Sequence, residues 1–331
     1  MKRLLPLFSL LVVMSLACSL LPFPAGGGSG GGGTPVETAT SPLWATNSPV
    51  PTEAAVEPTV SGADSQVPIP LDAGTGTYKG LPLGLQDNGA PTVTPVDGVI
   101  GVVCIGMSNA FQECEDFIAK LGGEFAGQVN PQVKVVNCAV PGRAIEFWNN
   151  PEYDKLWEKC LRQKVPQAGL RAEQIRVVWH KAADMFTTEE SGEAFPPYPD
   201  PNADYFHFYE NLTTFAARLH GKMPSVQAVY VTSRSYGGFA DKESRGEPHS
   251  YEEGLALNAW LRDHEQVDGV WYGWGAYIWA PNCASGVTNG SGVCYERGDY
   301  QADGIHPAQG ARDKVSRMLH ARFSQFEWYK P

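Results

Sequence analysis

Three residues have types and spacing that could do chemistry together. Ser108 sits in GMSNA (Gly106–Ala110), between an apolar run and a helical pattern. Asp303 and His306 sit three apart in DGIHP near the C-terminus. A serine hydroxyl is a weak nucleophile until a base within hydrogen-bond reach takes its proton. His306 can be that base and later return the proton to a leaving alcohol. Asp303 can hold the imidazole in one tautomer and stabilise its cation, because one short turn brings both side chains to the same side. A tetrahedral oxyanion needs fixed donors. The Ser108 N–H at a helix start and the Gly142 N–H are candidates, glycine allowing close backbone approach. Plainer readings stand beside these. Ser108 could be an N-cap, with Glu113 and Glu115 suiting the first turns. Gly142 after Pro141 is ordinary turn chemistry. Asp303 and His306 could cap the last helix, with Pro307 at a favoured early position.

The elements that must position these residues are legible as alternation. Five runs rich in Val and Ile recur: Gly98–Gly106, Val133–Val140, Ile175–Ala182, Val226–Ser233 and Val267–Trp274. Such runs without strict alternation suit strands buried on both faces. Helical patterns separate or follow them over Phe111–Leu121, Glu152–Lys164, Ala203–His220, Tyr251–His264 and Pro307–Phe323. Alternation of this kind predicts an α/β fold, a five-stranded parallel sheet in a three-layer α/β/α sandwich. In open sheets of this kind the site lies beyond the carboxyl ends of the strands. Ser108 follows the first run, Gly142 the second and Asp184 the third.

The chain of 331 residues is 43% hydrophobic and 18% charged, with 36 acidic against 25 basic side chains and a net charge of -11. That balance argues against nucleic acid as a partner. Lys2 and Arg3 precede a mostly apolar run, Leu4–Leu16, which is shorter than the roughly 20 residues a membrane span needs. SLACS (Ser15–Ser19) then looks like a lipoprotein box with Cys18 as the lipidated residue. Residues 1–18 are therefore expected to be a lipoprotein signal peptide and 19–80 a Gly/Pro/Ser/Thr tether. Residues 81–331 are expected to be the folded domain, lipid-anchored to the bacterial cell membrane or cell surface on its extracytoplasmic side. Six further cysteines permit disulfides in an exported protein. Cys283–Cys294 is the expected pair, Cys114–Cys160 a weaker expectation, and Cys104 and Cys138 are read as buried thiols. No CxxC pair occurs, so neither a structural zinc nor another metal is expected.

With these residues in place, the chain resembles the SGNH (GDSL-type) hydrolase superfamily over roughly residues 99–323. IGMSN, NCAVPGRA and DGIHPAQG match the first, second and fifth conserved blocks in order and spacing. YVTSRSYGGFA and WGAYIWA look similar to an uncharacterised bacterial branch. The resemblance implies a flavodoxin-like arrangement, catalysis by Ser108, His306 and Asp303, and an oxyanion hole from Ser108, Gly142 and the third-block residue. That block carries Asn in the family, and Asp184 here. An ionised carboxylate about 4 Å from an oxyanion costs on the order of 4 kcal/mol at an effective dielectric near 20. Protonation of Asp184, rotation toward His180 or Lys181, or loss of catalysis would each resolve the conflict.

The reading that follows is a cofactor-free extracytoplasmic serine esterase acting on small acyl esters, with acetyl groups on carbohydrate as the expected substrate. The alternative is a catalytically impaired carbohydrate-binding or cell-surface interaction protein on the same scaffold. Candidate substrate-binding residues are Asn109, Arg143, Trp148, Arg234 and Trp274, with Tyr153 near them. For the arginines ion pairing, and for the aromatics core packing, is the competing role. His180 and His207 are read as structural rather than metal-ligating.

Overall fold

The computed structural model describes residues 68–331. The proposed signal peptide, Cys18 and most of the proposed tether lie outside the described residues. The tether was expected to run to residue 80, yet the chain packs on the domain from Pro68 onward. Leu71 is buried in the core, Ile69 O accepts from Tyr251 Oη at 2.6 Å, and Thr77–Tyr78 (β1) pairs with Leu81–Pro82 (β2).

The main sheet is built from Ile100–Gly106 (β3), Val133–Asn137 (β4), Ile175–Lys181 (β5), Ala228–Thr232 (β6), Gln266–Val267 (β7) and Val270–Trp274 (β8). Its order is β4-β3-β5-β6-β8-β7. The first five strands in that order are parallel, and their 2-1-3-4-5 sequence order is the flavodoxin-like one. The sheet has six strands rather than the expected five. The run Val267–Trp274 is broken by a turn at Asp268–Gly269, both at positive φ, so that the two-residue β7 folds back antiparallel on β8.

Each strand feeds both faces because successive side chains point to opposite sides. From β3, Ile100, Val102 and Cys104 pack under Ser108–Leu121 (α1) and Gln309–Phe323 (α7). Val103 and Ile105 join the opposite layer, which holds Ile145–Asn149 (α2), Lys155–Lys159 (α3), Val165–Gln167 (α4), Asp204–Lys222 (α5) and His249–Asp263 (α6). The expected helix over Glu152–Lys164 is broken into a 3-10 turn, α3 and a wide five-residue turn at Cys160–Lys164.

The two-faced packing sets the disulfides. Cys104 pairs with Cys114 and Cys138 with Cys160, at Cα separations of 6.3 and 5.2 Å. The expected Cys114–Cys160 bridge does not form, because α1 and the Cys160 turn lie on opposite faces of the sheet. Cys104 and Cys138 are accordingly not free thiols. Cys283–Cys294 forms as expected, closing its loop at a Cα separation of 4.9 Å.

Candidate active site

The strand-to-helix turn after β3 is built to display Ser108. Gly106 has φ +145°, and a Cβ there would stand 2.6 Å from Lys181 O and 2.7 Å from the Ala110 Cβ. Only glycine lets α1 start this close to β5. Met107, not Ser108, is the N-cap, so the capping role weighed for Ser108 is not the one it plays; Ser108 is the first helical residue. One turn further along, Glu113 faces inward rather than toward solvent. It meets Lys181 Nζ at 2.5 Å in a buried pair that ties α1 to the end of β5. Burial pushes the Glu113 carboxyl up and the Lys181 amine down, each against the attraction of the other.

The opposite partner comes from the loop before α7. His306 Nε2 lies 2.8 Å from Ser108 Oγ, and His306 Nδ1 is hydrogen-bonded to Asp303 Oδ2. Asp303 Oδ1 also accepts from the N–H groups of Ile305 and His306, both at 3.0 Å. Burial alone would raise the Asp303 carboxyl, but the His306 hydrogen bond and the two backbone donors outweigh it and bring it to about 2. Asp303 is therefore ionised, so Nδ1 carries the imidazole proton and Nε2 is free to accept the one from Ser108. The loop is fixed on both sides: Gln301 N–H donates to His306 O at 2.8 Å, and Asp241 N–H donates to Asp303 O at 3.0 Å. Neither residue caps α7, whose N-cap is Ala308.

Backbone ties bring the second and third loops to the same edge. Val140 N–H donates to Gly106 O at 3.0 Å, and Ile145 N–H donates to Ala183 O at 3.2 Å. Ser108, Asn109, Gly142, Asp184, Met185, Arg234, Arg245, Ile305 and His306 all line one cleft of about 290 Å³. Among the described residues, the Gly142 and Ser108 N–H groups have no hydrogen-bond partner.

Asp184 is 1% exposed and does not turn toward His180 or Lys181. Its Oδ1 accepts from Asn211 Nδ2 at 3.0 Å, and its backbone carbonyl accepts from Arg234 Nη2. Burial first, and then the charges of Asp204, Glu146 and Glu253, push its carboxyl well above the usual range, against the Asn211 hydrogen bond. A neutral Asp184 is a donor: with Oδ1 occupied by Asn211, Oδ2 is left to carry the proton. The chemical objection raised by the Asn-to-Asp departure applies to the ionised form.

The other sequence candidates divide. Asn109 lines the cleft, with Nδ2 donating to Ile305 O at 3.0 Å, and so helps hold the His306 loop. Arg234 lines it too but is already engaged, with Nε 2.7 Å from Glu253 Oε1. Arg143 is stacked 4.6 Å over the Phe147 ring and 5.3 Å from that of Tyr153. Trp148 and Trp274 are corrections. Both are buried, with indole N–H groups donating to Arg143 O and Asn258 Oδ1, and they pack in the core away from the cleft. His180 is buried against Phe215 at 3.8 Å; burial lowers it to about 3, and neither ring nitrogen has a partner among the described residues. His207 stacks on Phe195 at 4.7 Å. The sequence reading missed Arg245, in a Lys-Glu-Ser-Arg-Gly stretch without periodicity, and Phe186, the most exposed large apolar side chain among the described residues at 60%.

No protein-family model matches the sequence, and a search among curated proteins returns no match. Solved structures do match. A GDSL-like lipase from Bacteroides thetaiotaomicron is 13% identical, over 70% of this chain and 90% of that one, with a TM-score of 0.39. An acetylxylan esterase from Geobacillus stearothermophilus is 12% identical, over 69% and 95%, with a TM-score of 0.41. An α/β hydrolase enzyme from the metagenome of Lake Arreo is 13% identical, over 71% and 96%, also at 0.41.

Proposed function

We propose that the protein is a serine ester hydrolase of SGNH type that works through an acyl-enzyme. The observation that carries this is the continuous relay from Ser108 Oγ through His306 to an ionised Asp303. Ser108 Oγ attacks the ester carbonyl carbon as its proton passes to His306 Nε2. The resulting oxyanion accepts from the Ser108 and Gly142 N–H groups and from the neutral Asp184 carboxyl. The imidazolium, stabilised by Asp303, then protonates the leaving alkoxide. Water repeats the sequence on the acyl-enzyme, giving the carboxylic acid and free Ser108.

We further propose a short acyl group, acetyl above all, on a carbohydrate. The cavity behind Met107 and Asn109 leaves only about 30 Å³, which suits a short acyl chain. Phe186 follows Met185 of the cleft wall in sequence, and its ring lies 5.7 Å from that of Phe147. Phe186, exposed and backed by the half-buried Phe147, offers a face on which a sugar ring can stack. Export and lipidation at Cys18 belong to the same proposal. They are supported by the N-terminal charge and apolar pattern, and by three disulfides, which persist in oxidising compartments. Hydrolysis of p-nitrophenyl acetate and of acetylated xylo-oligosaccharides tests the activity. Turnover in the parent protein that disappears in Ser108→Ala is the expected result. Equal turnover in both proteins would refute it.

A further inference from the structure

The catalytic cleft does not end at Arg234. It runs on, through Met185 and Arg245, into a groove of about 870 Å³ between the 185–197 loop and residues 242–249. Arg245 is the junction: it lines the cleft, the groove and the small cavity behind Met107. It differs from three cations nearby, whereas the exposed Lys242 on the groove wall is likewise unpaired among the described residues and Glu193, Glu243 and Glu247 line the same groove. Lys181 is paired with Glu113, Arg234 with Glu253, and Arg143 is stacked on two rings. Arg245 makes neither an ion pair nor a side-chain hydrogen bond among the described residues, although Glu243 and Glu247 are close to it in sequence. A guanidinium is a planar fork of donors that matches a carboxylate in two parallel bonds. Left unpaired at the wall of a cleft, in a protein of net charge -11, it is a local exception to a field that otherwise repels anions.

We infer that Arg245 recognises a carboxylate on the alcohol half of the substrate, so that the preferred ester is an acylated acidic saccharide rather than a neutral one. The inference rests on the ester-hydrolase reading above for its reaction, and on Arg245 alone for its recognition. The placement follows from space. The cavity beside Met107 offers about 30 Å³ and the groove about 870 Å³, so the groove is the larger space for a charged sugar ring. A carboxylate reaching Arg245 therefore belongs to the part of the substrate that leaves as alcohol.

The test compares an O-acetylated uronic-acid oligosaccharide with its methyl ester, and p-nitrophenyl hemisuccinate with p-nitrophenyl butyrate. The first pair moves the charge on the alcohol half, the second on the acyl half. The parent protein is expected to favour the free uronic acid by about tenfold or more in kcat/KM, the size of a charge-assisted hydrogen bond. Arg245→Gln is expected to bring that ratio close to one, chiefly through KM, and Arg245→Lys to restore part of it. A ratio near one in the parent protein, a ratio that survives Arg245→Gln, or a preference confined to the hemisuccinate would each overturn the inference. Calorimetric titration of Ser108→Ala with the same oligosaccharide reads binding without turnover. Tighter binding of the free acid than of the methyl ester, lost on adding Arg245→Gln, upholds the recognition even if no ester is hydrolysed. Equal binding of the two defeats it even if esters are.

Discussion

In the proposed mechanism, Asp184 decides whether the oxyanion hole has two donors or three. Its neutral form is set by burial and by neighbouring acids, so its role is tied to pH. Asp184→Asn keeps a donor of the same shape and removes the titration. The variant is expected to keep activity within a few-fold of the parent at neutral pH, and to retain it at alkaline pH where the parent declines as Asp184 ionises. A pH–kcat profile of both proteins checks this; an alkaline decline shared by both would assign it to another group. Asp184→Ala removes the donor altogether and is expected to cost roughly 10²–10³-fold in kcat. Asp303→Asn leaves the shape but not the charge that fixes the tautomer, and is expected to cost on the order of 10³–10⁴-fold, read in kcat. At this scale the sequence displayed Ser108, Asp303 and His306, because their chemistry depends on residue type and short spacing. It did not separate Arg234 from Arg245. Whether a guanidinium is already paired depends on Glu253, far along the chain, and not on any local pattern.

Among the elements, the loop from Gln301 to Pro307 carries the proposed acid–base pair on a backbone that admits little change. Gly304 has φ +69°, and a Cβ there would come within 1.7 Å of Phe239 O. Gly304→Ala must therefore push the loop away from the segment that receives Asp303 through Asp241 N–H. The expected outcome is a loss of about 1–3 kcal/mol in unfolding free energy together with a fall in kcat, both measured on the same preparation. Unchanged values would mean that the loop has slack the geometry denies. The five parallel strands were readable because both faces of each are covered and their apolar runs are dense. The short α2 was not, since five residues hold barely more than one helical turn. Nor was the β7–β8 fold-back, whose signal is the Asp268–Gly269 turn inside an apolar run. Aromatic density around Trp271–Trp279 marked burial without telling core from cleft, which is why Trp274 was misassigned.

Across the whole molecule, stability is expected to couple to pH through buried acids whose carboxyls are pushed above the usual range. Burial, against the Arg234 charge, raises Asp204 to about 6, and burial likewise raises Asp184 and Glu253. For such groups the folded state binds more protons than the unfolded one above about pH 4, so their stabilisation is full below that pH and is lost as pH rises through the folded values. His180, lowered to about 3, acts in the opposite sense: its contribution is present above about 6.5 and is lost as pH falls. Burial raises Glu247 and Glu252 in the same sense as the acid cluster and lowers His249 and His320 in the sense of His180; with the acids dominant, the melting temperature is expected to be higher near pH 5 than near pH 8. The reverse order would show that the cluster is ionised in the folded protein. The Cys138–Cys160 bridge closes a loop of sequence separation 22. Replacing both cysteines by Ser is expected to cost about 3 kcal/mol, or roughly 5–10 °C in melting temperature. Its pairing was not legible in the sequence, because which cysteines meet depends on which face of the sheet each one takes.

The most direct test of the central claim is covalent. Peptide mass spectrometry after rapid quenching with p-nitrophenyl acetate, or after a fluorophosphonate, reads which atom was acylated. A single adduct is expected on the peptide containing Ser108, absent from Ser108→Ala and strongly slowed in His306→Ala. An unmodified Ser108, or label spread over other serines at equal rates, would contradict it.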